Sequence, residues 1–170
     1  NNTAAIYAHF AGATRLPGKA EGNITLFWFE HGWFWFIPLA DGATSVGAVV
    51  WPYYMKSRTK PVNEFLMDTI ALCPLLAARL EGAERVSEAE ATGNYSYACD
   101  RTYGPGYLLL GDAYTFIDPV FSSGVTIAFK SASLAATLID RRFKGETVDW
   151  QKEFAEELYV GIDAFRQCVD

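Results

Sequence analysis

Residues 107–143 place the tightest limit on what this chain can fold into. Tyr107-Leu108-Leu109-Leu110 is a short apolar run of the kind that forms a buried strand, and Val125 to Phe143 reads as one long helix. Between them runs Gly111-Asp112-Ala113-Tyr114-Thr115-Phe116-Ile117-Asp118-Pro119-Val120-Phe121-Ser122-Ser123-Gly124, so the segment is a strand, a loop and a helix start. A Gly-Asp pair at the carboxyl end of a buried strand sits where ligands of open α/β sheets bind, and Gly111 has no side chain to block close approach. Asp112 can accept hydrogen bonds from ligand hydroxyls. The Ser122-Ser123-Gly124 step opens the helix, and serine is a favoured N-cap. The amides of Ser123, Gly124 and Val125 are then unpaired by the helix and carry the positive end of its dipole. Such a site attracts an anion or an electron-rich ring edge.

Upstream, four segments rich in β-branched and aromatic residues read as strands: Thr3 to Gly12, Asn23 to Glu30, Trp33 to Leu39 and Thr44 to Val50. The breaks carry Pro17-Gly18, Glu21-Gly22, His31-Gly32 and Asp41-Gly42, and the last two are short enough for tight hairpins. The second, third and fourth strands should therefore pair in order as an antiparallel meander. Pro61 to Ala71 places Val62, Phe65, Leu66, Thr69 and Ile70 at helical spacing, and Pro74 separates it from a second short helix through Leu80. Both helices should pack on the sheet. Val86 to Ala89 and Gly93 to Cys99 read as further strands leading to the run at Leu108. Within the long helix, Ala128, Ser131, Ala132, Ala135, Ala136 and Ile139 form a stripe that permits close approach of another element.

At 170 residues and 51% hydrophobic, the chain can bury a substantial core. Its net charge of −6, with no basic cluster, argues against nucleic-acid binding. Apolar runs break well before the roughly twenty residues of a membrane span, so a soluble, cytoplasmic protein is expected. Cys73, Cys99 and Cys168 are odd in number and widely spaced, which suits reduced buried thiols better than disulfides or a zinc site. His9 and His31 have no carboxylate or nucleophile at a telling distance and receive no role, and no metal is expected. Asp100-Arg101 reads as a surface ion pair and Tyr53-Tyr54 as a possible pocket lining.

Two motifs together resemble the flavin-dependent halogenases, within the class of monooxygenases related to para-hydroxybenzoate hydroxylase. One is the Gly111-Asp112 to Asp118-Pro119 to Ser123-Gly124 stretch, shared across the wider class. The other is Trp33-Phe34-Trp35-Phe36-Ile37-Pro38, which carries the Trp-x-Trp-x-Ile-Pro signature of the halogenase branch. The resemblance extends from the first strand to Phe143 and is loose over Glu146 to Asp170. It implies an α+β fold: a substrate-domain antiparallel sheet with helices over 1–100, the returning strand and long helix of an FAD-binding domain over 101–145, and a C-terminal helix over 146–170. No Gly-x-Gly-x-x-Gly occurs, and the chain opens Asn1-Asn2-Thr3 without a leader, so it reads as a fragment lacking the N-terminal half of the same protein. None of its six lysines stands at the position of the family's catalytic lysine.

The implied chemistry uses reduced FAD, dioxygen and chloride or bromide to form a hypohalous acid equivalent. By the resemblance, Gly111, Asp112, Asp118, Pro119, Gly124 and Val125 bind the cofactor, with Asp112 at its ribityl and phosphate region and Pro119 near its ring. The amides of Ser123 and Gly124 bind halide. Trp33, Trp35, Ile37 and Pro38 wall the flavin from the substrate, so that direct hydroxylation is suppressed. Phe121 replaces the glutamate of tryptophan halogenases, which points to phenols, pyrroles, or aliphatic or carrier-bound acyl groups as substrates. A flavin reductase is the implied partner. Two other classes stay open: an FAD-dependent monooxygenase or dehydrogenase without halide use, and a non-catalytic substrate-domain fragment.

Overall fold

The computed structural model describes residues 3–169; Asn1, Asn2 and Asp170, including the opening pair read above, lie outside the described residues. The architecture is α+β, and the chain divides into two compact units with the boundary between Tyr95 and Ser96.

In the first unit, β1 (Ala4–Ala11), β2 (Thr25–Phe29), β3 (Gly32–Pro38) and β4 (Thr44–Val50) are the four expected strands. Three short helices follow, α1 (Pro52–Lys56), α2 (Val62–Ala71) and α3 (Pro74–Arg79), and then β5 (Glu84–Arg85) and β6 (Glu90–Gly93). The sheet order is β2-β3-β4-β1-β5, with β6 also on β1, and every pairing is antiparallel. The meander β2-β3-β4 pairs in order as expected, while β1 adds to the far edge of β4.

Period-two alternation puts Ile6, Ala8, Phe10, Phe34, Phe36, Val46, Ala48 and Val50 on one fully covered face, against Phe65, Leu66, Ile70 and Leu76 of the helices. Arg79 locks the end of α3 to this layer. Its guanidinium lies 4.2 Å from the Phe36 ring centre and donates to the Thr14 carbonyl at 2.9 Å and Thr25 Oγ1 at 2.9 Å.

Two hairpins differ in build. Phe29 pairs with Gly32 across a two-residue loop, and a Cβ on Gly32 would stand 1.9 Å from the Val49 carbonyl oxygen, so no larger residue fits there. The β3–β4 connection is also tight: Leu39 N–H donates to the Ala43 carbonyl at 2.8 Å beyond the Pro38–Thr44 pair, and Arg15 donates to both the Leu39 and Ala43 carbonyls.

Two expected strands are corrected. Residues 86–89 are irregular, because the Ser87 hydroxyl takes the His9 N–H at 2.9 Å and Asn63 Oδ1 takes the Ala89 N–H at 2.7 Å. Gly93 to Cys99 is not one strand: Gly93 ends β6, Asn94 takes a left-handed φ of 54°, and only Tyr97 and Ala98 are extended beyond it. The sequence reading also missed α1, a single turn with proline at its first position.

The second unit contains β7 (Tyr97–Ala98), β8 (Tyr103–Gly104), β9 (Tyr107–Leu108), β10 (Thr115–Phe116), α4 (Gly124–Phe143), a π-helical turn (Trp150–Glu156) and α5 (Glu157–Val169). The Tyr107 to Leu110 run is not a buried strand. It makes a two-residue hairpin with β8, because among the described residues this unit offers no long strand beside it. The last helix begins at Trp150, not at 146, where the Asp149 side chain caps it by accepting from Lys152 N–H at 3.1 Å.

On α4 the buried stripe is Ile127, Ser131, Ala135 and Leu138, which packs with Phe154, Leu158 and Ile162. Ala128, Ala132, Ala136 and Ile139 of the expected stripe are exposed, because the larger apolar surfaces at 127 and 138 set which face turns inward. Of the thiols only Cys73 is buried; Cys99 is half-buried and Cys168 exposed. No helix among the described residues is long and apolar enough to cross a membrane.

Candidate functional site

The long helix start and the Gly-Asp turn meet in the second unit. Residues 111–113 form a 3-10 turn that begins at a left-handed Gly111, φ 50°. The Gly111 N–H donates to Ser131 Oγ at 3.0 Å, and the same hydroxyl donates to the Ala128 carbonyl at 3.0 Å. A Cβ on Gly111 would lie 3.0 Å from Ala128 Cβ. The glycine is therefore required for its backbone angle and for contact with α4.

This anchoring carries Asp112 outward. Its carboxylate is exposed, and Oδ1 lies 3.8 Å from where a Cβ on Gly124 would stand. Asp112 and the first residue of α4 thus face each other across a narrow gap. Downstream, Asp118 is 96% buried and its Oδ1 accepts from Val120 N–H at 3.2 Å, capping the turn Pro119–Phe121. Its carboxylate holds the loop from inside, a role distinct from the ligand contact expected of it. Ser122 takes a left-handed φ of 51° and turns the chain into the helix. Ser123 is buried, with helical backbone angles and no side-chain cap, so the expected serine cap is absent. The first helical bond runs from Ile127 N–H to the Ser123 carbonyl at 3.0 Å, which leaves the amides of residues 124–126 outside the helical ladder. A cavity of about 630 Å³ opens here, lined by Gly111, Asp112, Pro119, Ser123, Gly124 and Val125 among others, but not by Asp118.

In the first unit, Trp33, Trp35 and Ile37 of β3 point to the face opposite the helices. Trp33 is buried and Trp35 half-buried. Their rings lie 6.2 Å apart, and the Trp35 indole N–H donates to Ser45 Oγ at 3.1 Å. Pro38 ends the strand opposite Thr44, where its missing N–H costs no ladder bond. Tyr7 lies 5.9 Å from the Trp35 ring and donates to Glu90 Oε2 at 2.8 Å, and this bond raises the phenol above its ordinary range.

Tyr54 stacks on His31 at 4.3 Å and sits within hydrogen-bond distance of Thr69 Oγ1, while Tyr53 lies 3.1 Å from His31 Nδ1, so both brace the hairpin. His9 meets its neighbours through its backbone at Ser87. Among the described residues no group of His, Cys, Asp and Glu could hold a metal ion, and no ion pair joins Asp100 to Arg101.

Asp100 and Arg101 instead border a second cavity, about 710 Å³, with Tyr103, Tyr114, Gln151 and Tyr159. Sequence reading missed it because its walls come from a hairpin and from a π turn, neither of which leaves a periodic signal.

The family model for tryptophan halogenase matches residues 24–169. A tryptophan 2-halogenase from Chondromyces crocatus is 36% identical over 162 residues, covering 92% of this chain and 31% of that protein. A 1H-pyrrole-2-carbonyl-[peptidyl-carrier protein] brominase from Pseudoalteromonas luteoviolacea is 31% identical over 152 residues, covering 88% of this chain and 37% of that protein. The chain thus spans about a third of the length of these relatives. Among solved structures, the myxobacterial chondrochloren halogenase, described as a variant of FAD-dependent halogenases, matches with a TM-score of 0.88 and 36% identity over 98% of this chain and 40% of that one. With the Gly-Asp turn, the helix start and the Trp-x-Trp-x-Ile-Pro strand all in place, the chain belongs to the tryptophan halogenase family.

Proposed function

We propose that this chain is part of a flavin-dependent halogenase, in which residues of the 111–125 turn hold FAD and halide and the Trp33 to Pro38 strand shields the cofactor from the organic substrate. The observation that carries this reading is the convergence of Asp112, Pro119, Ser123 and Gly124 on one cavity of about 630 Å³ at the start of a 20-residue helix. That volume suits a bound cofactor portion, since ligand sites run to about 300–1,000 Å³. The cradle fits the group: Gly124 leaves the space beside Asp112 open, and the helix start favours negative charge.

In this assignment Asp112 accepts hydrogen bonds from the ribityl hydroxyls, Pro119 packs near the ring, and the amides of Ser123 and Gly124 take chloride or bromide. Val125 borders the same space. Gly111 borders the space and is held there through Ser131, while Asp118 acts from behind through the Val120 amide. When bound, reduced FAD supplies the electrons that activate dioxygen for halide oxidation. Trp33, Trp35, Ile37 and Pro38 exclude water and substrate from that chemistry. Residues 1–100 serve the substrate side, 101–145 the FAD side, and 146–170 buttress the long helix.

Phe121 is 53% exposed and offers no proton acceptor, so an indole receives no base from this position. A phenol, a pyrrole or a carrier-bound acyl group is the substrate class proposed, and the brominase relative is named for a pyrrole on a peptidyl-carrier protein. A flavin reductase and a cytoplasmic location belong to the same reading.

The test is to supply the full-length protein with reduced FAD, dioxygen, halide and candidate substrates, and to read products by mass spectrometry. A halogen isotope pattern on a phenol or pyrrole is expected. A hydroxylated or dehydrogenated product insensitive to halide would assign the protein to a monooxygenase or dehydrogenase instead, and halogenated free tryptophan would overturn the substrate class. Mixing the 170-residue chain with FAD and desalting it tests the cradle alone; a colourless protein would mark this segment as non-catalytic by itself.

A further inference from the structure

Gly47 stands near the middle of β4, a place where glycine weakens a strand, and its φ is not in the left-handed region that would require glycine. The side chain it lacks is accounted for by one neighbour. A Cβ there would lie 2.2 Å from Trp35 Cζ2, 2.5 Å from Cη2 and 2.6 Å from Cε2, so the six-membered part of the indole occupies the space over Gly47.

The register makes this contact part of a row. Trp35 of β3 pairs with Gly47 of β4, Gly47 with Tyr7 of β1, and Tyr7 with Glu90 of β6. Paired residues share a face, so the four lie in line across the sheet. The indole crosses the glycine to reach within 5.9 Å of the Tyr7 ring, and Tyr7 is tied by its hydroxyl to Glu90. At the other edge of the ring the indole N–H is held by Ser45, two residues before Gly47 on β4.

We infer that Gly47 is a positioning residue for the halogenation site: with Ser45 and Tyr7 it sets the ring plane of Trp35, and so determines how well the signature strand excludes direct reaction of the cofactor with the substrate. The inference rests on the shielding role proposed above for Trp35. With any side chain at 47 the indole rotates off β4, loses the Ser45 bond or the Tyr7 contact, and opens the wall.

The test is a double-mutant cycle of Gly47→Ala and Trp35→Phe in the full-length protein. Phenylalanine lacks the six-membered portion of the indole that overlies Gly47, so it has room for a methyl group at 47. Two readouts are followed: the ratio of halogenated product to hydrogen peroxide released, and the difference near-ultraviolet circular dichroism from the Trp33–Trp35 ring pair. Gly47→Ala alone is expected to lower the product ratio about tenfold to a hundredfold, the scale of a misplacement of about 1 Å, and to change the ring-pair signal. Added to Trp35→Phe, the same substitution is expected to have no further effect on the ratio. If Gly47→Ala alone does not accumulate folded protein, recovery of folding by Trp35→Phe supports the same contact. An equal effect of Gly47→Ala in both backgrounds overturns the inference, because a general strand effect does not depend on the ring. A product ratio unchanged by Trp35→Phe itself defeats the shielding role instead, and leaves the Gly47–Trp35 coupling to be judged by dichroism and folding.

Discussion

The two units of this chain hold their functional residues by different means. In the sheet, β1, β3 and β4 pair over seven residues each way, and every signature side chain takes its direction from that register. Trp35 is fixed at once by the Tyr7 ring, an open glycine and the Ser45 hydroxyl. In the cradle the paired segments are two residues long, and the turns are held by short local bonds, among them Tyr114 N–H to the Gly111 carbonyl, Ser122 N–H to the Pro119 carbonyl, Gly111 N–H to Ser131 and Val120 N–H to Asp118. The sheet is redundant, so one lost contact is shared among many; the cradle's turns have no long ladder behind them. Elements with few buried contacts and lone bonds open locally at low free energy, which suits a loop that must receive a ligand.

The strongest way to break this contrast is inside the sheet core. Phe34 is fully buried between the strands and the helices, and Phe34→Ala is expected to cost about 3–5 kcal/mol and to lower the whole thermal transition. A loss of less than about 1 kcal/mol would show that the sheet is not the stable half. Next in size is Asp112→Asn. Because this carboxylate is exposed, folding is expected to change by less than about 0.5 kcal/mol, whereas flavin affinity should fall by about 1.5–3 kcal/mol as a charged acceptor is lost. Flavin titration of the full-length protein, alongside a melting curve, separates the two.

Ser131→Ala sharpens the comparison from the other side. It leaves the buried Gly111 N–H without its acceptor, an expected cost of about 1–3 kcal/mol. The effect should be confined to the Gly111 turn and α4 by hydrogen exchange, with protection of β1, β3 and β4 unchanged. Loss of protection throughout would show that the two units unfold as one.

The smallest effect is a pH dependence at the seam between α4 and the π turn. The Glu153 carboxyl is held below its ordinary value of 4.5, first by its hydrogen bond from Arg141 and then by the Asp149 N–H. Since the folded-state value is the depressed one, the stabilisation is present above the unfolded value and is lost as pH falls through the folded value. Glu153→Gln should flatten the stability profile below that ordinary value and leave neutral-pH melting nearly unchanged, because the pair is about a third exposed and screened by solvent.

Much of this arrangement is visible in the linear chain. The four long strands, α2, α3 and α4 follow from alternation, helical spacing and proline positions, because those patterns arise from side chains that face one core. The turn residues are another matter. Gly111 was read as leaving room for a ligand; it borders the cavity, but its missing Cβ makes room for Ala128 as well, and Asp118, read as a ligand contact, is buried and caps the turn. A glycine or an aspartate in a loop serves backbone geometry and ligand contact with the same atoms, and only the neighbours distinguish them. Gly47 left no signal at all, since its requirement comes from a ring twelve positions earlier in the chain that reaches it only through strand pairing.

By itself, then, the sequence determined that this chain builds an antiparallel meander with helices packed on it, a long helix entered through a Gly-Asp turn and a Ser-Ser-Gly step, and a strand that carries the tryptophan signature. Local periodicity and short-range turn chemistry are enough for those decisions. The tertiary structure alone decided which loop residues face the cavity and which support it, where α4 turns its buried stripe, and how the Trp35 ring is seated. Each of these depends on contacts between residues far apart in the chain, whose strength is set by packing distance and not by residue type.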